Sequence, residues 1–167
     1  MAQAPCIQRH GQFGRNSGLD AWKEMKYALH TNVIISHFKG DKFSDDTDRF
    51  FAWTKEAGHE MYIADIVYAE LYTGVYLSND PANEEKRLQR FLAVNNIEVK
   101  YTSSKIAKRS GELYAKKLLK NKRSLNRILP DFIIGANAEL YSDALVTWNP
   151  SDFDLNRVVK TPAEIIE

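Results

Sequence analysis

The acidic residue whose position most restricts its chemistry is Glu70. It follows Ile66 and Val67 by four and three positions on a predicted helix, so it points along the same stripe as those apolar residues. A glutamate is rarely buried without a partner, because stripping water from a charge costs several kcal/mol. We therefore expect Glu70 either to face a cation, an arginine, a lysine or a metal ion, or to reach solvent from the edge of the stripe.

Two further aspartates stand at the ends of predicted elements. Asp131 follows Pro130 at the head of a helix, where a carboxylate satisfies free backbone N–H groups and the helix dipole without any further role. Asp152 lies in a loop after an apolar strand, and such loops bind ligands in parallel sheets. The same Pro-Ser-Asp segment also suits a simple turn, and Asp154 competes with Asp152 for an acidic role.

A cluster of positive charge precedes Asp131. Nine lysines and arginines stand against one acid, Glu112, between positions 105 and 127, a local excess of +8 on a chain whose net charge is only +1. A solvated helix face explains this pattern, and a track for an RNA backbone is the sharper interpretation. The residues predicted to contact RNA are Lys116, Lys117, Lys120 and Arg123.

Apolar runs typical of strands alternate with amphipathic segments, which predicts an α/β domain with a mainly parallel central sheet flanked by helices. Strands are predicted over 26–29, 61–63, 97–101, 144–147 and 158–160, and helices over 45–57, 65–77, 81–94, 104–120 and 130–141. The domain is expected to span 25–167. Residues 1–24 are polar and without periodicity, and are expected to form an extension outside the fold.

The composition excludes several classes of protein. A net charge of +1 excludes a strong global attraction to nucleic acid. The single cysteine, Cys6, cannot form an internal disulfide, and no Cys/His spacing predicts a zinc site, which favours a reducing cytoplasm. No apolar run approaches the roughly 20 residues of a membrane helix.

Three segments of the chain together resemble the PIN domain of VapC-type toxin ribonucleases. They are YALHTNVIISHFKGD (27–41), IADIVYAELYTGV (63–75) and LPDFIIGANAELYSDALVTWNPSDF (129–153). The resemblance implies a three-layer fold, and it implies a helix at Val33-Ile34-Ile35 although β-branched residues favour a strand. It also implies a homodimer and a small antitoxin whose C-terminal segment fills a groove beside the active site.

The resemblance further implies an endoribonuclease dependent on Mg²⁺ or Mn²⁺. In the family, grouped carboxylates hold the metal, which activates a water for attack on an RNA phosphodiester and stabilises the leaving oxygen. The residues mapped as metal ligands and catalytic acids are Glu70, Asp131 and Asp152, with Thr31, Asn32, Thr147 and Asn149 beside the site.

One position departs from the family pattern. The first motif normally reads Asp-Thr-Asn, and here it reads His30-Thr31-Asn32. Hard cations prefer oxygen ligands, so a neutral imidazole suits Mg²⁺ poorly and Mn²⁺ somewhat better. The change also removes one negative charge. His30 is thus either a weak replacement ligand or a structural residue, and metal affinity is expected to fall.

Two other interpretations stay open at this point. One is a degenerate PIN domain that binds RNA or an antitoxin without cleavage, which His30 favours. The other is an unrelated α/β phosphohydrolase. The second is disfavoured because His30 leaves no aspartate at the end of the first strand to act as a nucleophile.

Overall fold

A computed structural model describes residues 24–120 and 129–167. Within these ranges the chain forms five strands and seven α-helices, alternating as the hydrophobic pattern predicts. The strands are β1 (Lys26–Leu29), β2 (Glu60–Ala64), β3 (Ile97–Lys100), β4 (Ala144–Val146) and β5 (Val158–Lys160). The helices are α1 (Thr31–Lys39), α2 (Ser44–Glu56), α3 (Asp65–Tyr76), α4 (Pro81–Val94), α5 (Ser104–Lys120), α6 (Leu129–Tyr141) and α7 (Pro162–Ile166).

The five strands form one parallel sheet in the order β3-β2-β1-β4-β5. Strand β1 lies at its centre, with Ala28 paired to Tyr62 of β2 and to Leu145 of β4. All three residues are buried, as expected for parallel strands covered by helices on both faces. The protein is therefore a three-layer α/β domain, which confirms the predicted fold class.

Helix α1 settles the conflict over the β-branched run. Val33 and Ile34 are completely buried on this helix, so packing against the core outweighs the strand preference of the isolated residues. The helix ends at Gly40, whose φ of +59° is the left-handed conformation that glycine adopts without a steric penalty.

The predicted elements agree with the structure to within one or two residues, except at the C-terminus. Helix α7 was not predicted, although Thr161 and Glu164 form a capping box that the Thr-Pro-Ala-Glu sequence encodes. The predicted turn before Asp152 is a short 3-10 helix, Pro150–Asp152. Nearly all of the predicted extension, residues 1–23, lies outside the described residues. No helix in the described ranges is both long and apolar enough to cross a bilayer.

Candidate active site

The carboxyl ends of β1 and β4 meet at one edge of the sheet, and each is followed by residues singled out from the sequence. His30 follows β1 and its backbone N–H donates to the Val146 carbonyl at the end of β4. The next residue, Thr31, is buried and its hydroxyl donates to a carboxylate oxygen of Glu70. Glu70 on α3 therefore lies directly beside the first turn of α1.

His30 caps α1 and faces an acid. Its Nδ1 accepts from the backbone N–H of Asn32 at 3.3 Å, so in the neutral ring the proton is on Nε2. Nε2 lies 3.7 Å from Oδ1 of Asp131. That distance is longer than a hydrogen bond, but it places His30 at the acidic site. The imidazole also packs edge-on against Phe153, with ring centroids 5.5 Å apart.

Asp131 and Asp152 line one depression, which we call the acidic pocket. Three lysines near the end of α5 line the same depression, so positive and negative side chains share it. Lys120 Nζ lies 3.9 Å from Asp154, and both side chains are exposed, so this ion pair contributes little to stability. The lysines are Lys116, Lys117 and Lys120; Arg123, the fourth predicted RNA contact, lies outside the described residues.

The loop after β4 is fixed to α1 through Asn32. The Asn32 amide nitrogen donates to Thr147 Oγ1 at 3.1 Å, and its oxygen accepts from the Thr147 hydroxyl at 3.3 Å and from the Trp148 backbone N–H at 3.2 Å. Thr147 is fully buried and also accepts from the backbone N–H of Asn149. Asn32 and Thr147 therefore support the loop that leads to Asp152.

The chain beyond Asp152 packs closely on α6 at Gly135. A Cβ at this position would lie 3.0 Å from Leu155 and 3.6 Å from Phe153. A Cβ would require the end of the Leu155 side chain to shift by a few tenths of an ångström, whereas 3.6 Å from Phe153 is an ordinary contact. The close approach sets the position of the segment that carries Asp152.

The basic helix α5 is fixed to α6 by an ion pair. Arg109 Nε donates to Glu139 at 2.7 Å, and the Glu139 side chain is only 7% exposed. Burial alone raises the pKa of Glu139, but hydrogen bonds from Arg109 and from the Asn156 backbone N–H outweigh it and hold the pKa below its ordinary value. The pair fixes where the lysines of α5 lie relative to Asp131.

A second depression adjoins His30 and was not anticipated from the sequence. Its walls include Lys39, Asp41, Phe43, Trp148 and Asn149, and we call it the aromatic pocket. Trp148 lies in the third segment that resembles the PIN domain, at 129–153. An aromatic residue beside a candidate site residue was the one sequence feature that could have indicated this pocket.

Within the described ranges, no three His, Cys, Asp or Glu side chains come close enough together to hold a metal ion. Two contacts join candidate residues to each other: the Thr31 hydroxyl donates to Glu70, and His30 Nε2 lies 3.7 Å from Asp131. With His30 present, the candidate ligands do not form a complete site for a hard cation, because His30 offers a nitrogen where the family has an oxygen.

A family model described as PIN domain matches residues 27–160. The chain belongs to the PIN-domain family. The match includes His30 and all three candidate acids, and begins one residue after the start of β1. Among curated proteins, none matches the chain.

Solved structures agree with this assignment of the PIN domain. One is the crystal structure of VapBC2 from Rickettsia felis bound to a DNA fragment from their promoter: 25% identity, 81% of this chain and 97% of that chain covered, TM-score 0.67. Another is a toxin–antitoxin complex from Klebsiella pneumoniae, with 25% identity, the same coverage and a TM-score of 0.56. VapBC-1 from nontypeable Haemophilus influenzae, at 23% identity and a TM-score of 0.65 over 83% of this chain and 98% of that chain, shows the shared fold. The protein is a VapC-like PIN-domain protein.

Proposed function

We propose that this PIN domain is the toxin of a toxin–antitoxin pair, with RNA as its substrate and with His30 impairing an otherwise family-like ribonuclease site. The observation that carries the proposal is the position of His30, whose Nε2 faces Asp131 across 3.7 Å. The substitution therefore lies inside the acidic site. The likeness to VapBC complexes supports the toxin assignment.

Glu70, Asp131 and Asp152 are the proposed ligands for Mg²⁺ or Mn²⁺. With His30 in the first position, the site lacks one hard oxygen donor and one negative charge, so we expect little or no Mg²⁺-dependent cleavage by the unmodified chain. The chain then binds RNA and its antitoxin, and cuts slowly or not at all.

The test is the substitution His30→Asp. Restoring the carboxylate should restore ribonuclease activity in Mg²⁺, because the bound metal supplies both an activated water and compensation for transition-state charge. Cleavage of a panel of structured RNAs by the purified proteins is the measurement. Glu70→Gln in the His30→Asp background is the control, since it removes a second proposed ligand at nearly constant shape and should abolish the restored activity.

Two outcomes would count against the proposal in different ways. Brisk cutting by the unmodified chain that Glu70→Gln abolishes would show that His30 does not impair the site. An inert His30→Asp protein in both Mg²⁺ and Mn²⁺ would favour the alternative function, a PIN domain that binds without cleavage.

The antitoxin is proposed to bind a groove beside Glu70. Apolar side chains from α1, α3 and α4 line it, with Lys39 and Arg87 at its charged margin. An amphipathic segment suits such a surface. The apolar lining residues are Ile35, Phe38, Leu71, Val75 and Leu88.

This binding is tested by co-purification with the small antitoxin that the resemblance implies. Gly74→Glu places a charge in the groove, at a position where a Cβ meets no other atom, and should abolish capture. Gly111→Glu, on α5 away from the groove and equally open, is the matched control. Equal capture by both variants would place the antitoxin elsewhere.

A homodimer is proposed from the same resemblance. Tyr76 is 69% and Leu77 81% exposed at the end of α3, an apolar surface that a second copy would cover. Light scattering on the purified protein should give twice the chain mass of 19.2 kDa, and Leu77→Lys should shift it towards the monomer.

A further inference from the structure

The aromatic pocket combines aromatic rings and lysines, which are side chains that commonly contact nucleotides. Phe43 and Trp148 are stacked, with ring centroids 4.5 Å apart and planes inclined by 16°. Lys42 lies over the Phe43 ring at 4.8 Å from its centroid, and Lys39 lines the pocket. The depression has a volume of about 370 Å³, within the roughly 300–1,000 Å³ of small-ligand sites.

The aromatic wall is held rigidly. The Trp148 backbone N–H donates to Asn32, and its indole Nε1 donates to the hydroxyl of Thr47 at 3.2 Å, a residue that is completely buried. A ring fixed at both its backbone and its polar edge loses little conformational freedom when a ligand binds. Phe43 stacks on this fixed indole, so the pair forms a preorganised surface.

Hydrogen-bonding groups lie around the aromatic wall. Asp41 accepts from the Ser36 hydroxyl at 2.6 Å and from the Phe43 backbone N–H at 2.9 Å, and these bonds hold the pKa of this carboxyl below its ordinary value. Both bonds end on Oδ1, and the residue is exposed, so within the described part of the chain Oδ2 is available to a ligand. Asn149 is also exposed and lines the same pocket.

We propose that the aromatic pocket is a subsite for one unpaired purine of an RNA, stacked on Phe43 with Trp148 behind it. Purines offer the larger stacking surface, and adenine and guanine both carry an exocyclic amino group that can donate to Asp41. Lys42, on its long flexible stem, moves from the ring to a phosphate when the base takes its place. The inference rests on the proposed RNA substrate and adds which base is held beside His30.

The path that an RNA strand would take across the site supports this position for the subsite. His30 and Thr31 line the aromatic pocket, and His30 Nε2 lies 3.7 Å from Asp131 of the acidic pocket, so the two depressions are neighbours at the end of β1. A backbone on the α5 lysines and a base on Phe43 would place the intervening phosphodiester at His30. Stacking at this point fixes which linkage reaches the acids.

The experiment measures binding, so it does not depend on cleavage. Short single-stranded RNAs containing one 2-aminopurine are titrated with the full chain in EDTA, following both anisotropy and 2-aminopurine fluorescence. Stacking on Phe43 should quench the fluorescence. Phe43→Leu should abolish the quenching and weaken binding by about tenfold, in the range measured for loss of one stacked base.

Three variants make the result specific. Phe43→Tyr should retain quenching, because it retains the ring. Tyr101→Leu removes an aromatic residue that is 79% exposed elsewhere, and should change nothing. Asp41→Asn should reduce the preference for purine over uridine oligonucleotides while quenching persists. Melting temperatures of all variants exclude loss of fold as the cause.

The outcomes separate this inference from the proposed function. If the chain binds RNA with the salt dependence expected for the lysines, but without quenching and without any effect of Phe43→Leu, the subsite is wrong and the proposed substrate stands. If no RNA binds at any salt concentration, both are wrong. If Phe43→Leu abolishes antitoxin capture and leaves RNA binding unchanged, the pocket serves a protein partner and the inference is overturned.

Discussion

The two sides of the candidate site differ in how closely their side chains approach one another. On one side, Asn32 exchanges bonds with Thr147 and accepts from Trp148, all at 3.1–3.3 Å. On the other side, His30 and Asp131 approach only to 3.7 Å. The first side is a closed network of hydrogen bonds between neutral groups, whereas the second brings an imidazole and a carboxylate together beyond hydrogen-bond distance.

This difference separates the residues that maintain the shape of the site from those that would perform chemistry. An imidazole at position 30 is compatible with the Asn32 network, since it caps α1 through its Nδ1. The type of side chain at this position can therefore change without loss of the fold. Stability and activity should respond to different substitutions, and the following predictions test that separation.

The largest effect on stability is expected for Asn32→Ala. It leaves the Trp148 N–H and the buried Thr147 hydroxyl without their partner, which costs about 2–3 kcal/mol of unfolding free energy. Urea denaturation is the measurement. Asn149→Ala removes an exposed amide in the same loop and should be close to neutral, and His30→Asp should change stability by less than about 1 kcal/mol. A reversed order would mean that the side with His30 and Asp131 holds the site together.

A smaller effect is expected for Arg109→Met. The substitution leaves Glu139 buried without its charged partner, and because Arg109 is 31% exposed the loss should be about 2 kcal/mol, below that of a fully buried pair. Glu139 has a lowered pKa, so its contribution is complete above the ordinary value of 4.5 and is lost as the pH falls through the lowered pKa.

Melting temperatures measured between pH 7 and pH 3 therefore provide a second readout. The unmodified chain should lose stability more steeply on acidification than the Arg109→Met variant. Parallel curves would show that the ion pair does not set the acid sensitivity and would weaken its role in fixing α5 on α6.

The lysines that line the acidic pocket should affect RNA binding without affecting stability. Replacing Lys116, Lys117 and Lys120 by glutamine should weaken RNA binding about tenfold near 0.1 M salt and lower the salt slope by about 2, since each phosphate contact contributes somewhat less than one unit. Replacing Lys55, Lys86 and Arg90, which are exposed on α2 and α4, removes the same charge and is the control. Equal losses would indicate nonspecific attraction only.

The smallest effect is expected for deletion of residues 1–24. The first strand begins at Lys26 and the family match begins at residue 27, so both sides of the site should persist and the melting temperature should change by less than a few degrees. A loss of several degrees would show that the deleted residues pack on the domain.

Much of the fold could be predicted because local pattern and burial agree. The run Pro81–Val94 carries a helix start signal and an apolar stripe, and Ile97–Lys100 is short and apolar-alternating, so both are predictable from periodicity. Helix α1 was predicted only through the resemblance, because Val33 and Ile34 favour a strand until the core that buries them is known. Glu70 could be flagged from its place on an apolar stripe.

The partners of the site residues could not be predicted. Nothing in the sequence pairs Thr31 with Glu70 or Trp148 with Thr47, because these contacts join residues 39 and 101 positions apart. The Arg109–Glu139 pair was hidden for a different reason: Arg109 was one of nine basic residues assigned to a solvated face or an RNA track. A count of charges does not show which of these basic residues faces a neighbouring helix.

The close approach at Gly135 offers a way to adjust the candidate site from outside it. A Cβ there meets the ends of Leu155 and Phe153, so side chains of increasing size should push the segment carrying Asp152 outward in graded steps. A series from alanine through valine would then vary the position of Asp152 while Glu70, Asp131 and Asp152 are all retained. Such a graded series would change the spacing within the site and leave the groove between α1, α3 and α4 unaltered.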